Sequence, residues 1–232
     1  MTFHPVRLAA ATALALGLHG MAVADPVPLS ASGERVLARC NPDNLAHEDR
    51  CRLDATPEQL GFTLVASRST PIIKNEVTIG TLHDRVWRLG PAYVFGTRVQ
   101  LNAEPWDLSG LAFNLNDLAR QVLPDEPVVI AYRQDRPAAR KALIAAGRTF
   151  LGLNEYEGRQ PGRDNGWVDF RIDVNAAEPE GTSSPSSPWL YVLTRAPAGH
   201  AVKPFAFRLL SSDVEDPETE RTELYLPGYQ PN

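Results

Sequence analysis

The chain has 232 residues, 43% of them apolar and 22% charged, with a formal net charge of −5. Mild acidity excludes a general affinity for nucleic acid or anionic lipid, because either needs a basic surface. The length suits one generous domain and is ample for burying a core.

Export is the first thing the chain encodes. Arg7 supplies a positive start, residues 8–18 form an apolar run too short to span a bilayer, and Ala22-Val23-Ala24 offers the small-x-small pattern of a cleavage site. Residues 1–24 therefore read as a signal peptide, with Asp25 opening the mature chain. No later apolar run is long enough to cross a membrane, and the end at Tyr229–Asn232 carries no anchor. The expected product is a soluble bacterial protein, periplasmic or secreted.

Residues 25–60 form an N-terminal segment with the only cysteines, Cys40 and Cys51. In an oxidising compartment this pair is expected to form one disulfide, which in the chain-entropy model contributes about 3 kcal/mol for so short a loop. Two thiols at this spacing lack the CxxC pattern of a metal site. Residues 54–60 then read as a short capped turn or helix.

Residues 61–232 read as a single β-rich domain. A strand is expected at 62–67, broken by Thr70-Pro71, and a longer one at 77–89 with Gly80 as a bulge. Gly90-Pro91 turns the chain into 93–101, where Tyr93, Phe95, Thr97, Val99 and Leu101 share a face opposite Gly96, Arg98 and Gln100. Asn116 looks like the cap of a short helix over 117–123, ended by Pro124. A buried strand follows at 127–133. Residues 135–146, with an early proline and a closing Gly147, make the best helix, although 142–144 also suits a strand running on to 149–153. Period-two alternation is clearest at 167–174, with Val168, Phe170, Ile172 and Val174 on one face and Trp167, Asp169, Arg171 and Asp173 on the other. Residues 178–188 form a low-complexity loop, and strands at 189–195, 204–211 and 222–226 complete the chain around an acidic turn at 213–220. The fold class expected is mainly β: an antiparallel β-sandwich or distorted barrel with one or two short helices.

Catalytic patterns are weak. His47, His83 and His200 suit surface or structural roles, no GxSxG elbow is present, and His83-Asp84 sits in a strand where neighbours face opposite ways. Asp107, Asp125, Asp169 and Asp173 do not announce a carboxylate pair; Asp169, Arg171 and Asp173 read more simply as a solvated or cross-strand paired stripe. No cofactor is implied, though calcium is possible at Asp173, Asn175, Glu178 and Glu180 or within 213–220. Aromatic residues at strand ends remain. Trp106, Trp167 and Trp189, with Tyr156 and Tyr229, could offer flat platforms to a sugar, helped by Asp107, Asn165 or Arg171, or could simply close the core. The ligand-binding candidates are accordingly Trp167, Asp169, Arg171 and Trp106. The function expected is non-catalytic binding of a glycan, a small ligand or an envelope protein; the alternative is a hydrolase using carboxylates or a loop metal.

Overall fold

The computed structural model describes residues 26–29, 37–39, 51–105, 112–134, 145–149, 162–176, 184–211 and 222–232. The expected signal peptide, Cys40, His47, Trp106, Asp107, Tyr156, residues 135–144 of the expected helix, and the loops at 178–183 and 213–220 lie outside them. In chain order the strands are β1 (Val27–Leu29), β2 (Leu37–Arg39), β3 (Thr63–Lys74), β4 (Val77–Leu89), β5 (Ala92–Leu101), β6 (Asn114–Gln121), β7 (Val128–Arg133), β8 (Ala145–Gly147), β9 (Trp167–Asn175), β10 (Trp189–Arg195), β11 (His200–Ser211) and β12 (Thr222–Pro231).

They build two sheets, β1-β7-β10-β5-β4-β3 and β12-β11-β6-β9-β8-β2, each antiparallel throughout. The sheets pack face to face as a sandwich and do not close into a barrel. Alternation explains the packing: Leu82 and Val99 from the first sheet, Leu190 and Val192 beside them, and Leu118, Phe170, Ile172 and Leu209 from the second point inward into one core. Each such side chain taken from water contributes about 1.5–3 kcal/mol. Cys51 is wholly buried in the same core and is not free.

The helix expected at 117–123 is instead the strand β6, and among the described residues no helix occurs. The misleading signal has a physical source. The register of β6 against β9 shifts between Leu115, which pairs with Val174, and Asp117, which pairs with Arg171, so the extra residue lies on β9, where Ile172 and Asp173 stand opposite Asn116. That bulge lets Leu115 and Leu118 both face the core, and with Val122 they reproduce the i, i+3, i+7 spacing of a helix. Pairing on both sides, to β9 and β11, then outweighs local preference. Ala145–Gly147, placed by the sequence at the end of a helix, is the strand β8 between β2 and β9.

Thr70-Pro71 does not break its strand either. β3 runs through both residues, because it is the edge of the first sheet and a proline there can turn its missing N–H side away from the ladder. The bulge expected near Gly80 is present, as a register shift where Ile72 pairs with Gly80 and Ile73 with Thr78. The segment before β3 forms turns. The Thr56 hydroxyl accepts from the Gln59 N–H at 3.3 Å while the Gln59 side chain accepts from the Thr56 N–H at 2.8 Å, the reciprocal bonds of a capping box without a following helix.

A charged pair bridges the two sheets. Asp84 of β4 and Arg120 of β6 both point inward and are almost wholly buried, the Arg120 guanidinium donating to Asp84 Oδ1. Asp84 Oδ2 accepts the backbone N–H of Tyr229 at 2.6 Å, so one carboxylate also fastens β12 to the first sheet. Phe95 and Phe207 lie on the guanidinium, with Cζ 5.3 and 4.6 Å from their ring centres. Burial pushes the Asp84 carboxyl above its ordinary value, although Arg120 and the Tyr229 N–H act against that. Gly228 is required here: a Cβ would overlap the Phe207 ring and lie 2.8 Å from Asp84 Oδ2.

Candidate ligand-binding face

The residues singled out from the sequence lie on the outer face of the second sheet. Trp167 is half-buried at the start of β9, and Trp106 is outside the described residues. Asp169 and Arg171 face outward as the alternation requires, yet Asp169 is 0% exposed. Arg171 Nη1 reaches Asp117 Oδ2 of β6 at 2.9 Å, and Arg208 of β11 grips both carboxylate oxygens of Glu223 on β12 at 2.5 and 3.2 Å. Burial opposes the charge on Arg208, but Glu223 outweighs it and holds the guanidinium above its ordinary value; Asp169 adds to the same effect. This stripe is thus a paired ladder running across four strands, with its charges engaged by one another. Asp173 and Asn175, named for calcium, are half-buried on β9, and Asp125 is exposed in the turn before β7.

The outer face of the first sheet is different in kind. β4 presents His83, Arg85 and Trp87 there, β5 presents Val94, Gly96 and Arg98, and β10 presents Trp189, Tyr191 and Leu193. One half of this face is covered. Leu53, Leu60 and Phe62 pack over Trp87, Val94, Ala131, Trp189, Tyr191 and Leu193, and the Trp87 indole donates to Glu58 at 2.6 Å. Burial pushes the Glu58 carboxyl up, but that bond, with its own backbone N–H, Thr56 and Arg85, more than compensates and keeps it below the ordinary value. Gly96 makes the aromatic packing possible, since a Cβ would lie 2.6 Å from the Trp87 ring and 2.9 Å from Tyr191. Trp189 and Tyr191 stack 6.5 Å apart at an angle of 7°, with Trp87 edge-on to both.

The other half is cationic. Ladder register sets Ser69, His83 and Arg98 in one row across β3, β4 and β5, and Ser67, Arg85, Gly96 and Tyr191 in the next. Arg85 is exposed, and its guanidinium lies over Trp189 with Cζ 4.8 Å from the ring centre. Arg98 is half-buried, and so is Arg133, which stands opposite Trp189 on β7. His83 Nδ1 is 3.0 Å from Ser69 Oγ. Partial burial, followed by Arg98 and Arg85, holds its imidazole below the ordinary value.

These residues escaped the sequence reading because His83 was weighed as a catalytic base beside Asp84, and Arg98 as the polar side of a hairpin. The usable signal was register: counting back from the Gly90-Pro91 turn pairs 83 with 98 and sets Arg85 diagonally to Arg98. Comparison of the chain with family models, with curated proteins and with solved structures found no match in any of the three.

Proposed function

We propose that this chain is an exported, non-catalytic binding protein whose ligand sits on the outer face of the first sheet, over β3, β4, β5 and β10. The observation that carries this reading is Arg85, exposed on that sheet face and held over the Trp189 ring, with the exposed polar side chains of Ser67, Ser69 and Gln100 around it. Beside it on the same face, Trp87, Trp189 and Tyr191 are packed under Leu53, Leu60 and Phe62, so the strands that carry it need little reorganisation on binding. An export leader would suit the same reading, delivering the chain to an oxidising compartment where Cys40 and Cys51 can pair.

The test is a ligand screen on the purified protein, using arrayed glycans and small molecules, repeated with Arg85→Ala. The reading expects at least one ligand whose binding is lost in the variant. A screen whose ligands all bind the variant as well as the parent would remove this face from consideration.

A further inference from the structure

We propose that the rim of the first sheet takes up an extended acidic segment of a partner protein as an added strand, paired with β3 around Ser67 and Ser69. The proposal goes beyond the ligand face: it concerns backbone groups at the edge and holds whether or not a ligand occupies the face. Among the described residues the two sheets end in four edge strands. β1 and β2 are three residues long, and β12 is interrupted by Pro227 and Pro231, with its Tyr229 N–H already taken by Asp84. That leaves β3, twelve residues long and laddered to β4 alone. Alternate residues of an antiparallel strand turn both N–H and C=O toward one neighbour or away from it. Pro71 has no N–H to give β4 and belongs to the outward set. The Ser67 carbonyl accepts the Tyr229 hydroxyl at 3.4 Å, which places Ser67 in the same set, and Ser69 lies between them. Register is unshifted from Ala66 to Ile72, so this parity holds throughout. Ser67, Ser69 and Pro71 are all exposed.

The chemistry of this edge selects its occupant. Ser67 and Ser69 set outward donors and acceptors about 7 Å apart along the strand, the repeat at which another extended backbone offers its own. Leu64 and Val65, exposed at the start of the run, give an added strand apolar surface to cover. Charge narrows the choice further. The β3–β4 hairpin carries Arg68, Lys74, Arg85 and Arg88 against Glu76 and Asp84, and Asp84 is sealed inside with Arg120. Arg68 donates to Thr70, Arg88 donates to the Gly90 carbonyl, and Arg85 lies over Trp189; these partners are neutral and leave all three charges in place. Two copies meeting edge to edge would bring those arginines together, which disfavours self-pairing. The chain as a whole is acidic, so an acidic segment is drawn to this rim and repelled by the rest. The shift between Leu64 and Ala66 and the missing N–H of Pro71 confine pairing to a few residues, the length of a short linear segment.

The experiment titrates a fluorescent peptide of alternating glutamate and valine with the protein and follows its anisotropy. Saturable binding is expected, at least tenfold tighter than that of the matching lysine–valine peptide. Methylating the backbone nitrogens of the glutamate peptide keeps its charge and removes its donors, and should weaken binding tenfold or more. Ser69→Pro deletes the outward N–H and should weaken binding as much, whereas Ser69→Ala keeps that N–H and should bind within about twofold of the parent. The thermal midpoint of Ser69→Pro should stay within a few degrees, because this N–H makes no bond to β4. If that variant unfolds, the methylated peptide on the parent protein decides alone. Equal binding of the methylated peptide would overturn strand addition, and equal binding of the lysine peptide would overturn the acidic partner. Absence of binding by glutamate peptides with valine, threonine or tyrosine between would overturn the whole proposal. A dimer of the parent dissolved by Ser69→Pro would give the edge to a second copy and overturn it as well.

Discussion

At the scale of single residues, two charged clusters obey opposite rules. Asp84 and Arg120 are sealed between the sheets, where removing one partner strands the other without water. Arg120→Ala or Asp84→Ala should therefore cost about 3–5 kcal/mol in chemical denaturation. The double variant, with both charges gone, should cost clearly less than the sum, which a double-mutant cycle measures directly. His83 is the reverse case, partly wet and pressed by like charge. Its value in the fold is lowered from 6.5, so its contribution to stability is full above that pH and is lost as pH falls through it toward the folded value. Stability profiles over that window should show the loss in the parent and a flatter line in His83→Gln.

At the scale of elements, the β3–β4 hairpin is the most instructive. Its two-residue turn, Asn75-Glu76, has φ of 48° and 67°, the left-handed pair that matches strand twist. Asparagine tolerates that conformation, whereas glutamate is strained in it. Glu76→Gly should raise stability by about 0.5–1 kcal/mol, read from the denaturation midpoint. The same hairpin carries an edge twelve residues long, with Leu64, Val65 and Ile73 exposed. Two register shifts and Pro71 interrupt that edge, which is how sheets avoid pairing with copies of themselves. Pro71→Val should increase self-association, measured by light scattering at rising concentration; a variant as monodisperse as the parent would show that the bulges suffice alone.

At the scale of the whole molecule, strand content and sidedness could be read from alternation, most clearly in β9, where Val168, Phe170, Ile172 and Val174 are all core. What alternation could not reveal was a bulge that mimics a helix in β6, or an edge that tolerates Pro71, because both depend on strands distant in sequence. The surroundings of the candidate residues were illegible for a related reason. Period two told which way Asp169 and Arg171 point, but exposure depends on what faces them, and the second sheet's outer stripe proved closed while the first sheet's stayed open over Arg85. The N-terminal loop adds a test of the compartment. In the exported protein Cys40 and Cys51 should resist alkylation until reduced, and reduction should cost about 3 kcal/mol.

Of the chain's four tryptophans, Trp87 and Trp189 lie on the outer face of the first sheet and Trp167 on that of the second. Indole N–H signals in a proton–nitrogen spectrum, followed while a ligand found in the glycan and small-molecule screen is added, report on both faces in one sample. The Trp189 signal should move with saturation while Trp167 holds its place. Movement of Trp167 with Trp189 unchanged would contradict the assignment of the ligand to the cationic face.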